Sequence, residues 1–381
     1  MRYYLANCRL FTGEEFLAGS AVLINNQVIE AVVESRLMSS SLPQVDCQGF
    51  LLCPGFVDLQ LYGGGDSAFG VAPSLPALHH LRAYTLRHGT TSFLPTVPTN
   101  APAIVAQALA AVRQALPTMP GLLGLHLEGP YISPHKRGVH PLEFIQRPTL
   151  ATLTALLQQG QGVVRMLTVA PEVLGPAEAA LLRASEVVLS AGHSNATYEQ
   201  GMAAFQQGFT AATHLLNAMS PFTSRAPGLV GAIYDDAVVR ASIVVDGQHC
   251  NFASVRLSQR LLGERLFLIS DAAATHADGP YVFKPQGAYF VDAHGTLAGA
   301  GLTLLQAVRN CVEKVGLSLA ESLRMASLYP ARVLALDHRL GRLAPGYQAD
   351  CCLIDSQFLL KASVLQGNLQ WYSATSTTPG D

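Results

Sequence analysis

The chain has 381 residues and a mass of 40.5 kDa; 49% of the residues are hydrophobic, only 13% are charged, and the formal net charge is −2. This apolar, nearly neutral composition excludes an intrinsically disordered chain, and the lack of a lysine or arginine run excludes a nucleic-acid-binding surface. The mean hydropathy is +0.27, but no stretch of about 18 uninterrupted apolar residues occurs, so we expect no membrane span.

Both ends of the chain have the pattern of short strands. Apolar stretches broken by Gly, Asn and Pro fill the first fifty residues, and the segment from residue 341 onward repeats this pattern. We therefore predict a small β domain built from residues 1–53 and 340–381. A long α/β domain is expected over residues 54–339.

The middle of the chain contains eight short apolar runs, most of them separated by amphipathic stretches. The runs are residues 54–62, 91–96, 122–128, 164–172, 186–193, 209–214, 240–247 and 266–272. One stretch predicts a helix from Tyr198, because Tyr198, Met202 and Phe205 share a helical face and Thr197 with Gln200 can form a capping box. Eight strand–helix units in a row predict a parallel sheet closed into a (β/α)₈ barrel of the TIM type.

Most of these runs end in a polar or ionisable residue. The residues are Gln60, Glu128, His193, His214, Asp246 with His249, and Asp271. A single histidine at a strand end is more often a hydrogen-bonded structural residue than a ligand. The carboxyl ends of barrel strands build the active site in this fold, however, so the convergence of several such residues favours a catalytic site.

Glu128, His193 and His214 form a typical ligand set for a catalytic divalent metal ion, because two imidazoles and a carboxylate leave one position open for water. The alternative is a salt-bridged carboxylate with two histidines that fill the barrel mouth. Asp271 could take a proton from the water and pass it to a leaving amine. Otherwise Asp271 caps the segment that follows it.

Longer motifs resemble a known family. They are HLEGPYISPHKRGVH (126–140), LSAGHSNATYEQG (189–201), THLLNAMSPFTSRAPGLVGAIYDD (213–236), VVDGQHC (244–250) and LISDA (268–272). In this order they resemble the N-acetylglucosamine-6-phosphate deacetylases of the amidohydrolase superfamily, over nearly the whole chain. The resemblance implies a barrel with a small β-sandwich made from both termini. It also implies hydrolysis of N-acetyl-D-glucosamine 6-phosphate to glucosamine 6-phosphate and acetate, in amino-sugar catabolism.

The resemblance also implies roles for individual residues. Glu128, His193 and His214 would be the metal ligands, Asp271 the general base and acid, and His249 a donor near the acetyl carbonyl. The implied sugar-phosphate contacts are His140, Asn217, Ala218, Arg225, Leu297, Ala298 and Gly299. Arg225 is implied to reach the neighbouring subunit's site, which makes the protein a homodimer.

Several of these residues have a plain structural alternative. Asn217 could cap a turn, Arg225 could be a loop arginine without a specific role, and His249 could be a core residue. His140 follows a small basic cluster that could be a solvated loop. His276 is either an incidental loop histidine or an extra substrate contact.

The first barrel strand departs from the wider superfamily. Many amidohydrolases carry His-x-His there to bind a second metal, whereas this chain has Gln60 and Tyr62, which are poor zinc ligands. We therefore predict one divalent ion per subunit, zinc first, with iron, cobalt, nickel or manganese as alternatives. Gln60 would lie beside the ligands, and Tyr62 is unusual for the family.

Seven cysteines with irregular spacing and no CxxC motif predict free thiols, and the N-terminus lacks a secretory pattern, so a cytoplasmic location is expected. The sequence leaves two alternative functions. One is the same chemistry on N-acetylgalactosamine 6-phosphate or another N-acyl compound. The other is a catalytically silent sugar-phosphate sensor, which would have lost a ligand or the acid–base residue.

Overall fold

The computed structural model describes residues 1–373. The strands are β1 Arg2–Ala6, β2 Arg9–Phe11, β3 Phe16–Leu17, β4 Ser20–Asn25, β5 Val28–Glu34, β6 Gln44–Asp46, β7 Leu51–Pro54, β8 Phe56–Leu61, β9 Thr90–Pro98, β10 Leu125–Glu128, β11 Val164–Val169, β12 Val188–Ala191, β13 Phe209–Ala212, β14 Arg240–Ile243, β15 Leu266–Leu268, β16 Lys284–Gln286, β17 Tyr289–Val291, β18 Leu297–Ala300, β19 Cys351–Ile354, β20 Leu360–Leu365 and β21 Asn368–Trp371. The α-helices are α1 Leu75–Leu86, α2 Pro102–Ala115, α3 Leu150–Gln159, α4 Pro176–Arg183, α5 Tyr198–Gln206, α6 Gly228–Asp235, α7 Phe252–Leu262, α8 Leu304–Asn310, α9 Leu319–Ala326 and α10 Leu328–Val333.

The chain divides into two compact units. The first unit comprises Met1–Asp58, Arg82–Phe93 and the described residues from Thr303 onward, and the second comprises Leu59–Leu81 and Leu94–Leu302. The predicted domain boundaries after residues 53 and 339 stay a prediction. Residues 374–381 of the predicted terminal domain lie outside the described residues.

The first unit contains two sheets made from both ends of the chain. Their strand orders are β5-β4-β1-β6 and β21-β20-β19-β7-β2-β3. Alternate residues of a strand face opposite sides of its sheet, so Tyr3 and Leu5 of β1 share one face. They belong to the same buried cluster as Leu353 and Val364 of the other sheet. The apolar faces of the two sheets therefore meet in one core, which confirms the small β-sandwich.

The eight predicted runs form the eight-stranded parallel sheet β8 to β15, in chain order. The sheet closes at its carboxyl end, where the Tyr62 amide donates to the Ala272 carbonyl at 2.7 Å and the Asp271 amide donates to the Gln60 carbonyl at 3.0 Å. Strand β9 is buried along its whole length, as expected for a strand covered on both faces. The (β/α)₈ prediction is confirmed.

The predicted helix after the fifth run is α5. Its capping box is present: the Gln200 amide donates to Thr197 Oγ1 at 3.3 Å, and the Thr197 amide donates to Gln200 Oε1 at 2.8 Å. No helix within residues 1–373 combines the length and hydropathy that a membrane span requires.

A small antiparallel sheet of β16, β17 and β18 follows Asp271 and was not predicted. Gly287 and Gly295 stand between its strands with φ of 66° and 81°, the left-handed conformation that glycine adopts without strain. Its first two strands are exposed or half-buried, so they lack the strong apolar alternation by which a strand is recognised. Strand β18 carries Leu297, Ala298 and Gly299.

Candidate active site

A cavity of about 350 Å³ opens at the carboxyl ends of the barrel strands. Strand β10 ends on Glu128, while His193, His214 and Asp271 lie two or three residues beyond β12, β13 and β15. The predicted residues that line the cavity are Glu128, His140, His193, His214, Asn217, Ala218, His249, Asp271, Leu297, Ala298 and Gly299.

Glu128, His193 and His214 meet at the floor of the cavity. Glu128 Oε1 lies 3.1 Å from His214 Nε2 and 3.2 Å from His193 Nε2, and the two Nε2 atoms are 3.0 Å apart. All three side chains are buried. One carboxylate oxygen and two imidazole nitrogens thus converge on one point, a donor set that could hold a divalent cation.

The hydrogen bond at Nδ1 shows which histidine can act as a metal ligand and which acts as a hydrogen-bond donor. His193 Nδ1 lies 2.9 Å from the Lys136 carbonyl, so Nδ1 carries the hydrogen and the Nε2 lone pair faces the cluster. His140 is the reverse case, because its Nδ1 accepts from the Thr99 amide at 3.3 Å. Its Nε2–H then donates to Glu128 Oε2, 3.4 Å away.

His140 is close enough to Glu128 and His193 to act as a third metal ligand, but its hydrogen bonds make it a donor to Glu128 instead. Glu128, His140 and His193 are close enough together to share a cation. Burial lowers the pKa of His140 to about 4, so the ring is neutral. A neutral ring with its hydrogen on Nε2 holds the glutamate in place but offers the cluster no lone pair.

The charge of Glu128 is stabilised by the surrounding histidines. Burial raises the pKa of its carboxyl, but His193, His140 and His214 outweigh burial and hold the pKa well below the usual range. For His214, burial lowers the pKa of the ring, but the hydrogen bond with Glu128 outweighs burial and raises the pKa overall. The floor of the cavity is thus an ionised carboxylate facing imidazoles.

Asp271 lies across the cavity floor from the histidines and is also buried. Its Oδ1 accepts from Gln60 Nε2 at 2.9 Å and lies 3.3 Å from the Tyr62 hydroxyl. Burial raises the pKa of Asp271, and the nearby His249 and His214 offset only part of this. A carboxyl with a raised pKa suits a group that both takes and returns a proton.

His249 is held by its own loop. Asp246 Oδ2 lies 2.6 Å from His249 Nδ1, and Asp246 Oδ1 accepts from the His249 amide at 2.8 Å. Nε2 then points toward Asp271 Oδ2, 3.5 Å away. From the sequence, Asp246 is recognisable only as a strand-end residue, because a contact over three residues in a loop has no periodic signature.

The remaining predicted contacts surround the cavity mouth, with two exceptions. Asn217 and Ala218 follow His214, and β18 contributes its first three residues. Arg225 is exposed in the loop before α6 and is not among the described residues that line the cavity. His276 pairs with Phe283 through backbone hydrogen bonds of 2.8 and 3.2 Å and also lies off the described lining.

The backbone at the mouth is strained where side chains turn inward. His193, His214, Ala218 and Asp271 have φ of 46°, 37°, 49° and 53°. Non-glycine residues rarely adopt positive φ, and they do so mostly at functional sites, where the surrounding structure holds them. Sequence reasoning cannot find this feature, because none of these residues is a glycine.

Two aromatic residues of the lining were missed. Tyr281 and Phe283 belong to the segment after Asp271, pack together with ring centroids 5.5 Å apart, and line the cavity. The Tyr281 hydroxyl donates to the Thr99 carbonyl at 2.6 Å. The PYVF sequence was the available signal, but it follows no regular element and lies in a segment that resembles the family less than its surroundings do.

Comparisons with known proteins cover nearly the whole described chain. The model of the Amidohydrolase family matches residues 51–373, and the model of the NagA composite domain matches residues 2–52. An N-acetylglucosamine-6-phosphate deacetylase of Haemophilus influenzae is 36% identical over 378 residues, which is 96% of this chain and 99% of the relative.

Two further relatives also match over nearly their full length. An N-acetylgalactosamine-6-phosphate deacetylase of Escherichia coli O157:H7 is 35% identical over 381 residues, or 97% of this chain and 99% of the relative. The crystal structure of N-acetylglucosamine-6-phosphate deacetylase from Pasteurella multocida superimposes with a TM-score of 0.93 at 32% identity, covering 98% of this chain and 100% of that one.

Proposed function

Because the chain belongs to the amidohydrolase family, we propose that it is a metal-dependent amide hydrolase that converts N-acetyl-D-glucosamine 6-phosphate to glucosamine 6-phosphate and acetate. This reaction is a step of amino-sugar catabolism. The observation that carries the proposal is the convergence of Glu128, His193 and His214 opposite Asp271, in a cavity large enough for a small ligand.

Glu128, His193 and His214 would hold one divalent cation per subunit. The donor set fits, since Oε1 is ionised and the tautomer of His193 leaves its Nε2 lone pair free for the cluster. Zinc is the first expectation, with iron, cobalt, nickel or manganese as alternatives. When bound there, such a cation polarises a carbonyl oxygen and lowers the pKa of a water molecule.

Asp271 moves the proton. Its Oδ1 is engaged by Gln60, so Oδ2 is the oxygen directed into the cavity. Oδ2 takes a proton from the attacking water and returns it to the amide nitrogen as the C–N bond breaks. One carboxyl group thereby serves as general base and then as general acid.

His249 stabilises the acetyl oxygen. With Nδ1 bonded to the Asp246 carboxylate, Nε2 is the ring nitrogen that faces the cavity. Burial raises the pKa of Asp246, but the hydrogen bond with His249 outweighs burial and lowers it overall, so an ionised carboxylate holds the ring in place. A donor aimed at a developing oxyanion lowers the barrier of acyl transfer.

The sugar phosphate would bind at the mouth. Asn217 and Ala218 contact the phosphate end, and His140 with Leu297, Ala298 and Gly299 contact the sugar ring. Arg225 supplies the phosphate clamp to the neighbouring subunit of a homodimer, which agrees with its exposure in its own chain. A guanidinium donates two parallel hydrogen bonds to a phosphate.

The test is acetate release by the purified protein and by Asp271→Asn. Wild type should release acetate in a metal-dependent way, lost with a chelator and restored by zinc. Asp271→Asn should be slower by about 10²- to 10⁴-fold, because it cannot take a proton, while its metal content stays equal to wild type. A near-wild-type rate in Asp271→Asn would end the assignment.

A second candidate substrate is the galacto epimer, because a relative with 35% identity over its full length is named for it. Comparing kcat/KM on the two N-acetylhexosamine 6-phosphates decides between them. A silent sensor is disfavoured, since the ligand set and the acid–base residue are all retained at the cavity floor.

We place the reaction in the cytoplasm. All seven cysteines carry free thiols in the structure, and reduced cysteines are typical of cytosolic proteins. The phosphorylated substrate fits this location, because a charged sugar phosphate does not cross a bilayer unaided.

A further inference from the structure

The hydroxyl of Tyr62 lies between two carboxylates. It donates to Glu128 Oε2 at 2.6 Å and lies 3.3 Å from Asp271 Oδ1. The first carboxylate belongs to the proposed ligand set and the second is the proposed acid–base group. Two carboxylates that approach one point repel each other unless a cation or hydrogen-bond donors separate them. Tyr62 supplies a donor at that point.

Gln60 supplies the remaining hydrogens. Its Nε2 lies 2.9 Å from Asp271 Oδ1, 3.1 Å from Glu128 Oε1 and 2.8 Å from the Tyr62 hydroxyl oxygen. The phenol has one hydrogen, which goes to its nearest acceptor, Glu128 Oε2. Gln60 and Tyr62 stand two residues apart at the end of one strand, so both side chains point to the same side.

The two oxygens of Glu128 consequently have different partners. Oε2 accepts from Tyr62 and faces the donor His140, whereas Oε1 faces His193, His214 and the Gln60 amide. Without the Tyr62 hydroxyl, the carboxylate would lose its shortest hydrogen bond and could rotate. A ligand whose orientation is held by an outer hydrogen bond binds metal more tightly than one that must be ordered first.

We propose that Tyr62 is a positioning residue whose hydroxyl, together with the Gln60 amide, takes the place of a second cation between Glu128 and Asp271, and that it fixes Glu128 Oε1 toward the two histidines. The inference rests on the proposed function, because it assumes that Glu128 is a metal ligand. It predicts a single-cation site whose affinity depends on a phenol hydroxyl that does not touch the cation.

The test is cobalt(II) binding by chelator-treated wild type and Tyr62→Phe, which removes only the hydroxyl. Cobalt is titrated against a competing chelator, and its visible absorption spectrum, kcat and KM are recorded. Wild type should bind one equivalent. Tyr62→Phe should bind one equivalent about 10- to 100-fold more weakly, with an altered spectrum and a lower kcat but an unchanged KM.

Tyr234→Phe is the matched control. It also removes one phenol hydroxyl of the barrel, which bonds to Ser258 Oγ at 2.8 Å, and it should match wild type in affinity, spectrum and kcat. Wild-type affinity and spectrum in Tyr62→Phe would overturn the inference alone, as would two cobalt equivalents in wild type. A wild type that binds no cobalt would refute the proposed function as well.

Discussion

Five histidines line the cavity, and for four of them the surroundings of Nδ1 determine what the ring can do. His193 donates from Nδ1 to the Lys136 carbonyl, while His140 accepts at Nδ1 from the Thr99 amide. His249 is bonded at Nδ1 to a carboxylate. His214 Nδ1 is buried with no hydrogen-bond partner in the described part of the chain. One residue type thus provides a candidate metal ligand, a donor to that ligand set and a ring oriented by a carboxylate, according to its neighbours.

Asp350, a buried carboxyl group of the first unit, leads to a prediction of how stability depends on pH. Burial raises the pKa of Asp350 to about 7, although the Gln366 amide and Gln348 Nε2 donate to it. An unfolded aspartate has a pKa of about 3.9, so between about pH 4 and 7 the folded protein binds more protons than the unfolded chain. The protonated Asp350 carboxyl therefore contributes to the free energy of unfolding below about pH 4, and this contribution is lost as the pH rises toward 7.

Asp350→Asn removes this titration and keeps an acceptor for the Gln366 amide. Urea unfolding should show that the variant gains stability relative to wild type between about pH 5 and about pH 8, by on the order of a few kcal/mol. Equal differences between the two proteins at both pH values would contradict a raised pKa at Asp350.

At the scale of elements, the loop from β12 to α5 shows how a strand end is made rigid. Glu172 accepts from the Ser194 hydroxyl at 2.7 Å and from the Asn195 amide at 2.6 Å. The Ser220 amide donates to the Ser194 carbonyl at 3.0 Å. The loop that follows His193 is therefore tied to the 3₁₀ helix Pro171–Val173 and to the loop that contains Ser220, which supports the strained φ of that histidine.

The helix cap itself is separable from catalysis. Thr197→Ala removes the hydroxyl that caps α5 and should lower the free energy of unfolding by about 1 kcal/mol. Acetate release should stay at the wild-type rate, because Thr197 is exposed and lies outside the described cavity lining. Thr197→Ser keeps the capping oxygen and should retain most of the stability. Equal loss in both variants would rule out the cap as the cause.

At the scale of the whole molecule, the question is whether each site is completed by a second subunit. Arg225 lies in an exposed loop with Phe222, which is 61% exposed, a large apolar side chain that a partner subunit would cover. An arginine that served only its own chain would be expected to line the cavity. Arg225→Ala should raise the KM for the sugar phosphate by about 10- to 100-fold, because a charged hydrogen bond is worth about 1.5–3 kcal/mol.

Mixing two impaired variants, one in substrate binding and one in catalysis, tests the transfer of Arg225 between subunits. In a heterodimer of Arg225→Ala and Asp271→Asn, the subunit that keeps Asp271 receives Arg225 from its partner. Random exchange should then restore about a quarter of the wild-type activity at low substrate concentration. Absence of recovery, while mass spectrometry detects the heterodimer, would show that Arg225 does not act across an interface.

Much of the fold and the core of the site could be predicted because both depend on local patterns. Eight apolar runs with intervening helices specify a barrel, and in a barrel the carboxyl ends of the strands meet. Glu128, His193, His214 and Asp271 stand at those ends in the sequence, so their convergence followed from topology. The sheet of β16–β18 and the lining residues Tyr281 and Phe283 escaped prediction because weakly patterned segments are placed by packing.

The sequence by itself determined which chemistry this protein can perform, since residue types at strand ends set the available ligands, acids and donors. Only the tertiary structure decided which atom of each residue does what. Protonation and tautomer depend on burial and on hydrogen-bond partners that are far apart in the chain, such as Thr99 with His140 and Tyr62 with Glu128. Those distances exist only once the barrel has closed.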